Sequence, residues 1–280
     1  MTSLGLDLSD REFQAFSDLV YEKAGINLHA GKKELVRARL AKRIKEKKFA
    51  SFGDYYRFAV HDENGDELVY LLDAISTNLT SFFREPKHFG FMAEKFLPEL
   101  AMVKTKKGPR RLRIWSAGCS TGEEPYSIAM TVLDHLPQAA DWDLKILATD
   151  ISTQVLDTAR RGFYTAKRVD ELPEATLRRY FQKGRGKAED WYKIKDKVKS
   201  LVVFRRLNLM DPFPFSKSLD LIFCRNVMIY FDKKTQADLI TRYSQVLNGG
   251  GYLFIGHSES LSGIKHSFQY VQPTIYRKKP

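Results

Sequence analysis

The segment Arg111-Leu-Arg-Ile-Trp-Ser-Ala-Gly-Cys-Ser-Thr-Gly-Glu-Glu-Pro-Tyr-Ser127 is the most informative part of this 280-residue sequence. Leu112, Ile114 and Ala117 have the apolar spacing of a buried strand, and a loop of small residues bracketed by two glycines follows them. Pro125 then stands in the first turn of a helix, where proline is well tolerated. The segment therefore predicts a strand, a glycine-containing turn and a helix.

A turn of this kind lets backbone amides approach a ligand, as in the first half of a nucleotide-binding βαβ unit. Glu123 and Glu124 nevertheless occupy the helix N-terminus on which a pyrophosphate would dock, and two carboxylates repel a phosphate. They suit S-adenosylmethionine, which carries an ammonium, a sulfonium and a ribose but no phosphate. The alternative is that both acids only complement the dipole of the helix.

The composition limits the class of partner. The formal net charge of +12, from 46 Lys and Arg against 34 Asp and Glu, favours an acidic partner such as nucleic acid, an anionic membrane or an acidic protein. The sequence has no run of about 18 apolar residues and no signal-peptide pattern, so we expect a soluble, cytoplasmic protein. Cys119 and Cys224 are its only cysteines and its histidines lack paired spacing, so we expect neither a disulfide scaffold nor a metal site.

Residues 1–80 are predicted to be all helical. A helix over 32–48 contains nine basic and two acidic residues. One flank of this helix carries Lys32, Arg39, Lys42 and Arg43. This flank is either a docking surface for an acidic helix or phosphates, or simply a solvated face. The polar segment from Ser76 to Pro86 that follows is either a linker between domains or a lid over a ligand.

Polar side chains end several predicted strands of the second part of the chain. Asp150 ends the strand 144–149, and an acid at the tip of the second strand can accept both ribose hydroxyls of an adenosine. Because strands alternate with helices, we expect a doubly wound parallel sheet that binds its ligand at the carboxyl ends of the strands. Glu123, Asn208 and Asn226 fall on the same edge.

The chain resembles the CheR-type protein-glutamate O-methyltransferases, which methylate chemotaxis receptors. The residues that carry the resemblance are Thr77-Asn-Leu-Thr-Ser-Phe-Phe-Arg-Glu85, Trp115-Ser-Ala, Ser120-Thr-Gly-Glu-Glu-Pro-Tyr-Ser127, Ala148-Thr-Asp-Ile151, Ile222-Phe-Cys-Arg-Asn-Val-Met-Ile-Tyr-Phe-Asp232 and Gly256-His-Ser-Glu259. The resemblance covers nearly the whole chain, and the motif at 222–232 is highly specific to this family.

The resemblance implies an α/β fold with a Rossmann-like, doubly wound S-adenosylmethionine-dependent methyltransferase domain. Its expected bounds are 111–280, after a helical receptor-docking domain at 1–80 and a linker with a connecting helix at 81–110. A small antiparallel β-subdomain is expected as an insertion at 183–199. Family members tethered through a C-terminal receptor peptide carry a further glycine near position 190, where this chain has Asp190, so tethering is left open.

The family pattern also implies roles for individual residues. The residues expected to contact the cofactor are Asn78, Thr80, Arg84, Glu124, Asp150, Asn208, Leu209, Arg225 and Asn226. Arg84 and Tyr230 are expected to face the methyl group and the incoming substrate, although Tyr230 has the alternative of a packed aromatic. Arg39, Lys42 and Arg43 match the family's surface for acidic receptor helices.

The implied reaction transfers a methyl group from S-adenosylmethionine to a receptor glutamate and leaves S-adenosylhomocysteine. A glutamate with a pKa of about 4.3 is already an anionic nucleophile at neutral pH, so no general base is needed. Two alternatives stay open: a nucleic-acid methyltransferase with steeply salt-dependent binding, and a non-catalytic module that senses the cofactor. We expect the partners to be cytoplasmic receptor helices, with no nucleic acid and no membrane insertion.

Overall fold

The computed structural model describes residues 7–62, 65–76, 78–107, 110–215 and 219–279. Asn64, which belongs to a predicted turn, and Thr77, which begins the first family motif, lie outside the described residues. Within these ranges, no helix combines the length and the apolar character needed to cross a membrane.

Among the described residues of the N-terminal part there are four α-helices: α1 (Asp10–Ala24), α2 (Lys33–Glu46), α3 (Phe52–His61) and α4 (Asp66–Ile75). They pack around a core of their own that includes Phe16, Leu40 and Tyr55, which are fully buried. The all-helical prediction is confirmed for this part of the chain.

A connecting helix leads from this domain to the sheet. It consists of α5 (Pro86–Phe91), a π-helical turn (Met92–Phe96) and α6 (Leu97–Lys107). The sequence predicted one helix from Pro86 to about Val103, and the π turn is an irregularity that periodicity does not reveal.

The second part of the chain alternates strands with helices. The strands are β1 (Arg111–Ala117), β2 (Asp143–Asp150), β3 (Phe163–Thr165), β4 (Phe181–Lys183), β5 (Trp191–Ile194), β6 (Val202–Arg206), β7 (Leu219–Cys224), β8 (Leu247–Ile255), β9 (Phe268–Gln272) and β10 (Ile275–Lys278). The helices are α7 (Glu123–His135), α8 (Thr153–Arg161), α9 (Ala166–Val169), α10 (Glu174–Tyr180), α11 (Asp196–Lys199) and α12 (Lys233–Val246).

In the described ranges, seven strands form the main sheet in the order β6-β2-β1-β7-β8-β10-β9. The strands from β6 to β8 are parallel, whereas β10 runs antiparallel to both of its neighbours. From β1 the chain adds β2 and then β6 on one side of the sheet, and after β6 it crosses back to add β7 on the other side of β1. This change in strand order places a crevice at the carboxyl ends of β1, β2 and β7. The expected doubly wound fold is confirmed.

A second, antiparallel sheet of three strands has the order β3-β5-β4 among the described residues. Its strands begin at Phe163, so the sheet extends well before the segment 183–199 that the sequence predicted for it. A three-residue strand contains too few alternating positions to give a period-two signal, and this is why β3 and β4 were missed.

Several hydrogen bonds anchor the helical domain to the carboxyl edge of the main sheet. The backbone N–H of Asn27 donates to the carbonyl oxygen of Tyr230 at 2.8 Å. On the other side, the carboxylate of Asp73 accepts the backbone N–H of Thr153 at 3.1 Å, at the start of α8. These contacts hold the helical domain over the crevice.

Candidate active site

An open cleft lies between the helical domain and the carboxyl edge of the sheet, with about 1220 Å³ of space counting the solvent at its mouth. The predicted cofactor residues all line it: Asn78, Thr80, Arg84, Glu124, Asp150, Asn208, Leu209, Arg225 and Asn226. Tyr230 lines the same cleft, and Arg39, Lys42 and Arg43 lie outside it on α2.

Asp150 ends β2 with a buried carboxylate at the edge of the cleft. Its Oδ2 accepts the backbone N–H of Ser120 at 2.8 Å, and its Oδ1 accepts that of Ser152 at 3.0 Å. Burial raises the pKa of Asp150, and the two N–H groups oppose the rise. Each carboxylate oxygen has two acceptor sites, so each keeps one with which to accept a ligand hydroxyl.

Glu124 lies in the first turn of α7 and forms part of the cleft wall. Its Oε1 accepts the hydroxyl of Ser116 at 2.7 Å, and its Oε2 accepts Nη1 of Arg225 at 3.1 Å. Burial raises the pKa of Glu124, and Arg225 opposes the rise. The neighbouring Glu123 is fully buried outside the cleft, with Nη1 of Arg168 3.2 Å from its Oε1.

The guanidinium of Arg225 joins Glu124 of the cleft wall to Glu85, which does not line the cleft. Its Nε donates to Glu85 Oε2 at 3.2 Å, its Nη1 donates to Glu124, and its Nη2 donates to the carbonyl oxygen of Arg84. Burial acts to raise the pKa of Glu85, but Arg225 and the backbone N–H of His257 outweigh it, so the pKa is lowered. Sequence reasoning gave Glu85 no role, although its place beside Arg84 in the family motif was a signal.

The segment 78–84 forms another wall of the cleft. Ser120 Oγ donates to the carbonyl oxygen of Asn78 at 2.9 Å, and Arg168 Nη1 donates to that of Thr80 at 3.0 Å. The segment is therefore held both by the turn after β1 and by α9 beside the small sheet. It borders the cleft, which agrees with the lid interpretation.

Asn208 and Leu209 lie in the loop after β6. Asn208 Nδ2 donates to the carbonyl oxygen of Lys23 at 2.6 Å, and its Oδ1 accepts the backbone N–H of Met210 at 3.0 Å. Leu209 is 8% exposed and adds apolar surface to the wall. Asn208 thus also connects the cleft wall to the helical domain, a contact that sequence reasoning did not foresee.

The backbone around the cleft adopts conformations that are uncommon for residues other than glycine. Positive φ angles occur at Phe83 (50°), Glu85 (59°), Ser120 (48°) and Asn226 (57°). Such conformations persist only where surrounding contacts hold them, and they concentrate at functional sites. Gly118 has a φ of 84°, and a Cβ at this position would lie 2.3 Å from Val227 Cγ2.

The chemistry of these residues fits S-adenosylmethionine. Asp150 keeps an acceptor site on each oxygen, as two vicinal hydroxyls require. Glu124 adds negative charge to a buried wall, where Coulomb attraction to a cationic ligand is stronger than in water. The missing side chain at Gly118 lets the turn after β1 pass close to the opposite loop.

Glu85 belongs to a group of potential metal ligands that the sequence did not reveal. Its Oε2 lies 3.4 Å from His88 Nδ1 and 3.9 Å from His257 Nε2. Burial and the nearby Arg225 lower the pKa of His88 to about 3, and Arg225 already donates to the same Glu85 oxygen. The positive charge of Arg225, which already pairs with Glu85, disfavours a metal cation beside it. The expectation of no metal site stays a prediction.

The residues predicted to dock the substrate differ in their surroundings. Arg43 Nε donates to the buried Glu67 at 2.7 Å, and Arg39 Nη1 donates to the carbonyl oxygen of Ile75 at 2.8 Å. Both contacts fasten α2 to α4. The side chain of Lys42 is 81% exposed, so it presents its charge most openly. Their role in docking stays a prediction.

Comparison with known proteins identifies the family. Residues 78–277 match the family described as "CheR methyltransferase, SAM binding domain", and residues 11–76 match "CheR methyltransferase, all-alpha domain". A chemotaxis protein methyltransferase of Borreliella burgdorferi is 42% identical over 99% of this chain and 97% of its own length. Its counterpart in Salmonella typhimurium is 39% identical over 97% and 91%, and that of Escherichia coli is 38% identical over 97% and 92%. The chain belongs to the CheR methyltransferase family and is an S-adenosylmethionine-dependent methyltransferase.

Proposed function

We propose that this chain transfers a methyl group from S-adenosylmethionine to glutamate side chains on cytoplasmic helices of chemotaxis receptors. The products are glutamate methyl esters and S-adenosylhomocysteine. The observation that carries the proposal is the convergence of Glu124, Asp150 and Tyr230 on one cleft. Relatives along nearly the whole chain are named chemotaxis protein methyltransferases, which supports the receptor as the substrate.

We assign the cofactor contacts as follows. Asp150 accepts the ribose hydroxyls, Glu124 holds the polar end of the cofactor, and Asn208 and Leu209 flank the adenine. Arg225 and Asn226 form the floor of the cleft. The remaining contacts come from the segment 78–84, through Asn78, Thr80 and Arg84.

The residues of this chain have to align two reactants. The cofactor supplies an electrophilic methyl group on a sulfonium, and the receptor glutamate is already ionised at neutral pH. Arg84 and Tyr230 line the cleft and offer a guanidinium and a hydroxyl with which to orient the incoming carboxylate. Opposite charges neutralise one another during the transfer, so a cleft that excludes water favours the reaction.

Substrate docking is assigned to the helical domain at 1–80, and catalysis to the domain at 111–280. Lys42 lies on the basic flank of α2 with an exposed ammonium, and Arg39 and Arg43 brace that flank against α4. An acidic receptor helix is the partner whose charge complements this surface.

The test is methyl transfer to a purified cytoplasmic fragment of a receptor with radiolabelled S-adenosylmethionine. We expect label on the fragment that mild base releases as volatile methanol, because carboxyl esters hydrolyse and methylated amines or rings do not. A fragment whose candidate glutamates are replaced by alanine is the control. Base-stable label on RNA or DNA would favour a nucleic-acid methyltransferase, and cofactor binding without transfer would favour a sensing module.

Tyr230→Phe is expected to lower turnover roughly tenfold and to leave the affinity for S-adenosylhomocysteine within about twofold, because one hydrogen bond to the substrate carboxylate is lost. Steady-state kinetics and calorimetry measure the two effects. Equal turnover in the variant and the wild-type enzyme would instead favour a packed aromatic without a role in alignment.

A further inference from the structure

The loop after β7 supplies five residues to the cleft: Arg225, Asn226, Val227, Tyr230 and Phe231. Between β7 and α12 the described backbone forms only one short 3₁₀ turn, Met228–Tyr230. A loop with so few hydrogen bonds of its own needs other groups to fix its conformation.

The carboxylate of Glu259 provides these hydrogen bonds. It is 9% exposed and accepts four backbone N–H groups. Oε1 accepts those of Val227 at 2.9 Å and Ile229 at 3.3 Å, and Oε2 accepts those of Asn226 at 3.0 Å and Gly256 at 2.5 Å. One side chain thus binds both the catalytic loop and the end of β8.

An ionised carboxylate is the group that matches four N–H donors. Its two oxygens offer about four acceptor sites and no hydrogen, whereas an amide would point an NH₂ group at two of the donors. Asn226 has a φ of 57°, a left-handed conformation that carries an intrinsic cost. The hydrogen bond from its N–H to Glu259 helps to offset that cost.

Close packing restricts the loop on two further sides. A Cβ at Gly256 would lie 2.6 Å from Asn226 Nδ2, and a Cβ at Gly118 would lie 2.3 Å from Val227 Cγ2. At Gly256 a Cβ would also lie 2.7 Å from the backbone nitrogen of Asn226, so a side chain there must move the loop, whereas at Gly118 it would displace the side chain of Val227. The loop is therefore confined between the ends of β1 and β8, with Glu259 joining it to the latter.

We propose that Glu259 is a positioning residue for methyl transfer. Its carboxylate fixes the backbone of 226–229 so that Asn226 and Tyr230 face the cleft in the geometry the reaction needs. The expected effect of Glu259 on turnover rests on the proposed function. The expected effect of Glu259 on the conformation of the loop does not.

Glu259→Gln tests the proposal, with Asp220→Asn as a matched control. Asp220 is also buried and accepts a backbone N–H, that of Arg113 at 2.8 Å, but it lies near the amino end of β7, away from the cleft. In Glu259→Gln we expect hydrogen exchange in peptides spanning 225–231 to rise about tenfold. We also expect turnover of the receptor fragment to fall about tenfold or more, with a smaller change in KM for the cofactor. In Asp220→Asn, the hydrogen exchange of the loop and the turnover should both stay within about twofold of wild type.

Gly256→Ala is the second variant, because it leaves Glu259 in place and displaces Asn226 by contact. It should reproduce the faster exchange and the lower turnover, and it replaces Glu259→Gln if that variant does not fold. Wild-type exchange in the loop, or turnover within twofold of wild type, would overturn the positioning role. If the wild-type enzyme does not methylate the receptor fragment, the proposed function fails, and the rate of hydrogen exchange in the loop still shows whether Glu259 fixes the loop.

Discussion

Replacement of Arg225 by methionine is expected to lower the free energy of unfolding by about 3–5 kcal/mol at neutral pH, because it leaves the buried carboxylate of Glu124 and the partly buried carboxylate of Glu85 without their cation. Arg225 is 6% exposed and donates to both Glu85 and Glu124. Urea unfolding of the variant and the wild-type enzyme measures the difference. Adding Glu85→Gln to the variant should restore part of the loss, since one of the unpaired charges is then removed.

The loss should become smaller as the pH falls. In the wild-type protein Arg225 helps to lower the pKa of Glu85, so this carboxylate adds stability that is lost as the pH falls through the lowered pKa. Burial already raises the pKa of Glu124, and losing Arg225 removes the main opposing charge, so ionisation of Glu124 then costs stability at pH 7 and acid relieves the cost. We therefore expect the two unfolding free energies to converge between pH 7 and about pH 4.

Lys104→Met is the matched control for Arg225→Met. It breaks another ion pair with a buried carboxylate, Lys104 to Asp220 at 2.8 Å, near the amino end of β7. We expect this variant to lose stability but to bind S-adenosylhomocysteine as the wild type does. Wild-type stability of Arg225→Met at pH 7 would contradict the buried network.

Asp150→Ala is expected to weaken the binding of S-adenosylhomocysteine by about 10- to 150-fold, because charge-assisted hydrogen bonds contribute about 1.5–3 kcal/mol. The carboxylate already accepts the backbone N–H groups of Ser120 and Ser152 and keeps one acceptor site on each oxygen for the ribose. Isothermal calorimetry on the folded variant measures the dissociation constant. Unchanged affinity would remove the ribose assignment.

The wild-type affinity should also depend on pH through this group. Burial raises the pKa of Asp150, so the acceptor form is lost at a higher pH than for an ordinary aspartate. We expect the affinity to fall on acidification in the wild type and to depend less on pH in Asp150→Ala. Asp143→Ala is the control, since Asp143 lies exposed at the amino end of the same strand, β2. Asp143→Ala should leave the affinity for S-adenosylhomocysteine and its dependence on pH unchanged.

Features that depend on nearby residues could be predicted from the sequence. Pro125 lies in the first turn of α7, as predicted, and the capping box that starts α1 is likewise formed by near neighbours in the sequence, Ser9 and Glu12. Asp150 is the last residue of β2, as the predicted end of this strand in the sequence indicated. These features follow from hydrogen bonds and steric preferences that span a few residues.

Contacts between distant residues could not be predicted in the same way. The family motifs name Arg225, Glu85 and Glu259, but no spacing indicates that Arg225 pairs with a carboxylate 140 residues earlier. Likewise, Arg43 belongs to a basic run in the sequence, and only the packing of α2 on α4 shows that Glu67 neutralises it.

The amino-acid sequence alone therefore established the alternation of strands and helices and the family, and it predicted an acidic cofactor site, because periodicity and motif residues are local properties of the chain. The tertiary structure alone decided that Glu123 is buried outside the cleft beside Arg168, that Arg225 joins Glu124 to Glu85, and how Glu259 holds the loop before Tyr230. The strength of a charge interaction, and whether it stabilises the protein, depend on the distance between the charges and on their burial. Distance and burial are set by the folded chain.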